Sequence, residues 1–272
     1  MPRHFIDLSV AFEDVPTYPP HHRPQIQYVD HDSSFEAFDK AYGGVRKDDL
    51  PEGKAWAVER VSMSTHAGTH MDAPYHFHPT TNHQTIPGGE RAPTIDEIPL
   101  HLCLRPGVKL DFRRFEPGYM VTPDDIDEEL ARIRHVVKPC DIVLVNTRAG
   151  TLHKDPQYVD SACGFGRDST LHLLQMGVSI VGTDAYSWDP PFSAIGPIYR
   201  ATGDASLLWG GHKAGREKTY WQIEKLCNLE NLPSHGFTVV CFPVKIRGAS
   251  AGWTRVVAYL DDQNNTAAGE LS

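Results

Sequence analysis

The run His66-Ala67-Gly68-Thr69-His70-Met71-Asp72-Ala73-Pro74-Tyr75-His76 constrains this chain more than any other stretch of its 272 residues. Imidazoles and a carboxylate gathered this closely suit a borderline divalent ion such as Zn²⁺ or Mn²⁺. The backbone that could gather them is restricted. On a helix, His66 and His70 share a face while Asp72 points elsewhere, and Gly68 and Pro74 both oppose helix. On a straight strand, His66 and His70 lie about 13 Å apart, too far to share one ion. The chain must therefore turn between them, and Gly68 is the residue that permits it. This places the motif at a strand-to-loop transition. A lone His-x3-His pair on a surface is ordinarily just solvated; the added Asp72, the third histidine and the Gly and Pro at the bends make metal binding the stronger reading. Five of the 15 histidines fall between His66 and His83, and the outer two, His78 and His83, read as neighbours of the ligands or as surface groups.

The rest of the composition narrows the function classes. A net charge of −9 and a pI of about 5.9 argue against nucleic acid or an anionic membrane as the partner. No stretch approaches the roughly 18 uninterrupted apolar residues of a membrane span, and the first residues carry no apolar run or cleavage signal. Cys103, Cys140, Cys163, Cys227 and Cys241 form no Cys-x-x-Cys pair, which excludes a zinc finger or thioredoxin motif and points to a reducing, cytoplasmic setting. Ser64 and Ser250 lack the context of a nucleophile elbow. Gly164-Phe165-Gly166 is too short for a dinucleotide fingerprint.

Periodicity sketches an α/β core. Phe5–Phe12 alternates as a first strand, and Ala55–Thr65 reads as a strand entering the histidine cluster. Thr122-Pro123-Asp124-Asp125 is a helix start, with a favoured N-cap, Pro at the first helical position and acids in the first turn. That helix is expected to run to about Val136, ahead of Pro139. Asp141–Thr147 and Val178–Gly182 are short apolar runs suited to strands covered on both faces, with a helix Asp168–Met176 between them and Gly177 just past its end. Phe237–Ile246 and Thr254–Leu260 close the fold as strands without an intervening helix, hence an antiparallel part. Residues 15–54 form a long Pro- and Gly-rich excursion with one short helix near Ser34–Tyr42, a lid or an interface arm. Residues 261–272 read as a frayed tail. No break in composition marks a second domain, so residues 1–272 are expected to form one.

The His66–His76 run resembles the His-x-Gly-Thr-His-x-Asp-x-Pro-x-His motif of the Putative cyclase family, which includes bacterial kynurenine formamidase and isatin hydrolase. Ile6-Asp7-Leu8-Ser9, Val181–Ser187, Ile223–Leu229, Phe242–Ile246 and Arg255–Ala258 are similar to other segments of that family, except that Lys225 stands where the family usually has Asn. The resemblance implies a swivelling β/β/α fold, an α/β class with a parallel or mixed sheet, an antiparallel sheet and flanking helices, in a homo-oligomer. It further implies that His66, His70 and Asp72 hold one metal, that Asp72, His212 and Glu224 hold a second with Asp72 bridging, and that His76 is the general acid/base. Without it, His212 is a loop histidine after Gly210-Gly211, and Glu224 an inward carboxylate needing a partner.

The chemistry expected is hydrolysis. A divalent ion polarises a carbonyl and lowers the pKa of water toward 7, the resulting oxyanion is stabilised by the same charge, and His76 can take the water proton and return it to the leaving atom. Three small-molecule substrate classes compete: N-formyl arylamines, cyclic amides or imides such as isatin, and lactones. The chain is longer than expected for the compact formamidases, largely in the excursion, which tilts the choice toward ring opening. Tyr186, Trp188 and Phe192 offer aromatic walls for a flat substrate. Asp184, at a strand end, is either a helix cap or a group that orients a ligand histidine. Two other classes stay open: a non-catalytic metal- or ligand-binding protein, and a structural metalloprotein with a closed four-coordinate site.

Overall fold

In the computed structural model, residues 3–261 are described; the expected frayed tail lies, but for its first residue, outside them. Contacts divide the chain into two compact units, one from Phe12 to Ser64 and the other made of the residues before and after that segment.

The larger unit is built on a nine-stranded mixed sheet. Its centre is four parallel strands in the order Leu104–Asp111, Ile142–Asn146, Ile180–Thr183 and Trp221–Glu224. On one side follow His235–Val240, Val257–Asp261 and Arg3–Asp7, all antiparallel. On the other side lie His70–Asp72 and Ala251–Trp253, also antiparallel. The three inner strands Ile142–Asn146, Ile180–Thr183 and Trp221–Glu224 are buried at every position, because each face is covered. Ile142 and Leu144 enter one hydrophobic core with Met71 and Ile223. Val143 and Val145 enter a second with Leu110, Phe112 and Val181. Alternation along a strand explains why continuous apolar runs feed two cores.

Local signals read from the sequence hold with adjusted ends. Thr122 caps the helix Pro123–Arg132 in a reciprocal box, its hydroxyl accepting from the Asp125 N–H while Asp125 accepts from the Thr122 N–H. The helix stops at Arg132 rather than near Val136, because Arg134 adopts a left-handed conformation and the His135 N–H turns back to the Leu130 carbonyl. Gly177, also left-handed, ends the helix Arg167–Gln175 in the same way. The first strand is Arg3–Asp7, earlier than Phe5–Phe12.

The smaller unit is more than a loop. It holds the expected helix, Phe35–Tyr42, and an antiparallel hairpin of Gln25–Val29 with Val58–Ser62. Phe38 packs on Tyr42 and Trp56 with ring centroids 4.7 and 4.9 Å apart, and the Ser34 hydroxyl donates to the Trp56 carbonyl. The strand expected from Ala55 to Thr65 thus pairs inside this unit and does not join the sheet that carries the histidine cluster. Cross-strand pairs such as Ile26 with Val61 decide that register.

Candidate metal centre

The register between two short strands builds the site. Gln222 pairs with Asp72, Ile223 with Met71 and Glu224 with His70. Side chains alternate, so Met71 and Ile223 go into the hydrophobic core while His70, Asp72, Gln222 and Glu224 share the opposite face. His66 reaches that face through a turn in which Gly68 has φ +58°, as the spacing required. His76 arrives on the short helix Pro74–Phe77, which begins directly after the strand, with Pro at its first position.

Four side chains then converge. Asp72 Oδ1 lies 2.8 Å from His66 Nδ1 and 3.2 Å from His70 Nε2, and Glu224 Oε2 lies 3.7 Å from His70 Nε2. His70 Nδ1 is engaged with the Gly68 carbonyl at 2.8 Å, so its proton sits there and Nε2 presents a lone pair. His66 Nε2 is 3.1 Å from the Ser250 hydroxyl. His70 Nε2 and Asp72 Oδ1 are both buried with no aligned hydrogen bond. Buried polar atoms normally find partners, and a pair of acceptors facing one another without any is what a divalent cation would satisfy. The donor set, imidazole nitrogens with carboxylate oxygens, fits Zn²⁺ or Mn²⁺.

His212 approaches from a different element. It lies in the first turn of the helix Gly210–Glu217 rather than in a loop. Asp189 holds it: its carboxylate accepts from the Gly211 and His212 N–H groups at 2.8 and 3.1 Å and from His212 Nδ1 at 2.5 Å. This satisfies two N–H groups that a helix start leaves open and aims His212 Nε2 inward. Asp189 and Gln222 are two residues the sequence reading missed. Gln222 had a signal, the alternation Trp-Gln-Ile-Glu along a strand; Asp189, between Trp188 and Pro190, had none.

His76 sits beside the cluster, its ring 4.1 Å from that of His66 and 5.7 Å from that of His212. Burial, together with the neighbouring imidazoles and against the pull of Asp72, holds its pKa down to about 4, so at neutral pH it is an unprotonated base. Burial would push Glu224 up, but the Lys225 ammonium and His212 outweigh it and hold its carboxyl down to about 2.

The aromatic residues separate. The Trp188 indole is stacked on Phe165 at 4.2 Å and donates to the Thr170 hydroxyl, inside the second core; only the Trp188 backbone N–H reaches the site, donating to Glu224 Oε1 at 3.0 Å. Tyr186 lies under Lys225, whose Nζ is 4.5 Å from the ring centroid. Phe192 is exposed at the start of the helix Phe192–Thr202. Trp209, not singled out from the sequence, touches two site imidazoles: its ring stacks on His212 at 4.3 Å and meets His76 edge-on at 5.1 Å. Asp184 neither caps a helix nor touches a site histidine; its carboxylate accepts from the Thr147 N–H and hydroxyl. His78 and His83 both contact the Thr80 hydroxyl, at 3.0 and 2.8 Å.

Comparison with known proteins agrees with this architecture. Among curated sequences, kynurenine formamidase of Salinibacter ruber is 28% identical over 197 residues, 72% of this chain and 77% of that protein. The kynurenine formamidase of Paracidovorax citrulli is 24% identical over 200 residues, 74% and 78% of the two chains. Among solved structures, isatin hydrolase A from Ralstonia solanacearum superposes with a TM-score of 0.71 at 20% identity, covering 95% of this chain and 92% of that one. Isatin hydrolase A from Labrenzia aggregata, in complex with benzyl benzoate, gives 0.67 at 22% identity, covering 95% and 94%. The sequence model of one family, described as Putative cyclase, matches residues 6–190, a span that contains the whole His66–His76 motif, and the chain belongs to that family.

Proposed function

We propose that this protein is a metal-dependent hydrolase that opens a small cyclic amide or imide carried on a flat aromatic ring. The observation that carries the metal is the pair of buried, hydrogen-bond-free atoms His70 Nε2 and Asp72 Oδ1 facing His66 and Glu224. His66, His70 and Asp72 would hold the ion, with Glu224 and His212 behind them. A divalent ion there would supply charge to polarise the scissile carbonyl and to make water acidic. His76, unprotonated and next to His66, takes the proton of the attacking water. It returns that proton to the ring nitrogen as the C–N bond breaks, leaving a carboxylate and a free amine. Trp209, against both His76 and His212, provides a flat face for the substrate ring, and Tyr186 and the exposed Phe192 stand as further aromatic groups toward it. The ring-opening preference is supported by coverage: two isatin hydrolase structures each align with 95% of this chain. The sequence relatives favour a second reading, an N-formyl arylamine as substrate. All five cysteines are free thiols, which supports a cytoplasmic location.

The test is a hydrolysis screen of the Mn²⁺- and Zn²⁺-loaded full chain against isatin, N-formylkynurenine and an aromatic lactone, with and without chelator. Chelator-sensitive turnover highest on isatin is expected. A preference for the formyl arylamine would replace the substrate class, and no turnover of any of the three would leave a metal-binding protein without catalysis.

A further inference from the structure

The two candidate ligand sets differ in how far the protein already satisfies them. In the set Asp72, His212 and Glu224, the Gln222 amide nitrogen lies 2.8 Å from Glu224 Oε1, 2.9 Å from His212 Nε2 and 3.5 Å from Asp72 Oδ2. It therefore touches all three side chains at once. The amide oxygen is 3.0 Å from the Tyr220 hydroxyl. Turning the amide over would set its oxygen against Glu224 Oε1, acceptor on acceptor, so the partners fix the nitrogen inward. His212 Nδ1 is held by Asp189, and the Gln222 amide donates to Glu224 Oε1 while occupying the space in front of His212 Nε2.

The second departure is a charge. Lys225 is 1% exposed. Its Nζ is 3.4 Å from Glu224 Oε2 and 3.3 Å from the His66 carbonyl. Its backbone is left-handed, φ +60°, and its N–H donates to the Ala185 carbonyl, so the residue is anchored at both ends. Buried cations normally need a partner, and this one has Glu224. In a water-poor site an ammonium beside a carboxylate fills the electrostatic role of a cation, and a further divalent charge beside it would be repelled. In the His66, His70 and Asp72 set no amide stands between the ligand atoms among the described residues, and His70 Nε2 and Asp72 Oδ1 are buried without a hydrogen-bond partner.

Building on the metal-dependent reading above, we propose that this chain takes a single divalent ion, in the His66–His70–Asp72 half. In this proposal the Gln222 amide and the Lys225 ammonium replace a second ion between Asp72, His212 and Glu224.

Mn²⁺ alone is the probe. The full-length protein is loaded, freed of excess metal by gel filtration, and assayed for bound manganese per chain by plasma mass spectrometry and by electron paramagnetic resonance. One equivalent with an isolated six-line spectrum is expected. Two equivalents, or a spectrum of exchange-coupled ions, would overturn the single-ion assignment while leaving a metal-dependent hydrolase intact. No bound ion would remove both. The double variant Gln222→Ala/Lys225→Asn is expected to bind a second equivalent; a folded variant that still binds one would overturn the roles given to Gln222 and Lys225. The wild-type stoichiometry decides the ion count even if the variant does not fold.

Discussion

The two halves of the candidate metal centre were assembled in different ways. His66, His70, Asp72 and His76 come from one short run of sequence, bent at Gly68 and Pro74. His212, Gln222, Glu224 and Asp189 come from three separate elements, brought in by strand pairing and by a carboxylate at a helix start. The local half is electrostatically unfinished, with lone pairs facing lone pairs. The distant half is closed on itself through hydrogen bonds and the Lys225–Glu224 pair. A site can thus be recognised in sequence by the half that is incomplete, whereas the half that tunes it is visible only when the chain is folded.

That contrast can be broken experimentally. The largest effect is expected for Asp72→Asn, which removes the charge facing both His66 and His70. Ion affinity should fall by more than the roughly 10–100-fold typical of losing a residue that merely supports a ligand, and hydrolysis with it. Calorimetric Mn²⁺ binding close to wild type would show that the local half is not where the ion sits. His76→Ala should lower kcat by about 10²–10⁴ with manganese still bound, and loss of the metal instead would make His76 a ligand. Its imidazole also gives a sign. It titrates near 6.5 when exposed and at about 4 in the fold, so between those values the unfolded chain binds the extra proton. The metal-free protein should therefore lose stability as pH falls from 6.5 to 4, an effect absent in His76→Ala; NMR detection of a protonated His76 at pH 6 would contradict the burial argument.

Asp189→Asn probes the distant half. The isostere keeps shape but can no longer fix the His212 Nδ1 proton, and a loss of about 10–100-fold in kcat/KM is expected. Unchanged kinetics would reduce Asp189 to a helix cap. The smallest effect belongs to Gly68→Ala, where a Cβ at φ +58° should cost about 1 kcal/mol in urea unfolding. No loss would mean that the turn between His66 and His70 does not depend on glycine.

Much of the central sheet was legible because its signals are local: apolar runs at Ile142–Asn146 and Ile180–Thr183, the Thr122 capping box, the Gly177 stop. The misreadings were failures of partner choice. Val58–Ser62 has strand chemistry, but only its pairing with Gln25–Val29 assigns it to the smaller unit. His212 follows two glycines and reads as loop, yet Asp189 gives those glycines a helix start. Trp188 and Trp209 are the same residue type near the same site, and packing sends one into the core and the other onto two imidazoles.

Sequence alone determined the candidate ligand set, since residue types, Gly68 and Pro74 leave few backbones able to gather His66, His70 and Asp72. Tertiary structure decided which far residues meet them: the pairing of His70 with Glu224 and of Asp72 with Gln222 is set by burying Met71 and Ile223 on the other face, and a one-residue slip would have put every one of these polar groups into the hydrophobic core.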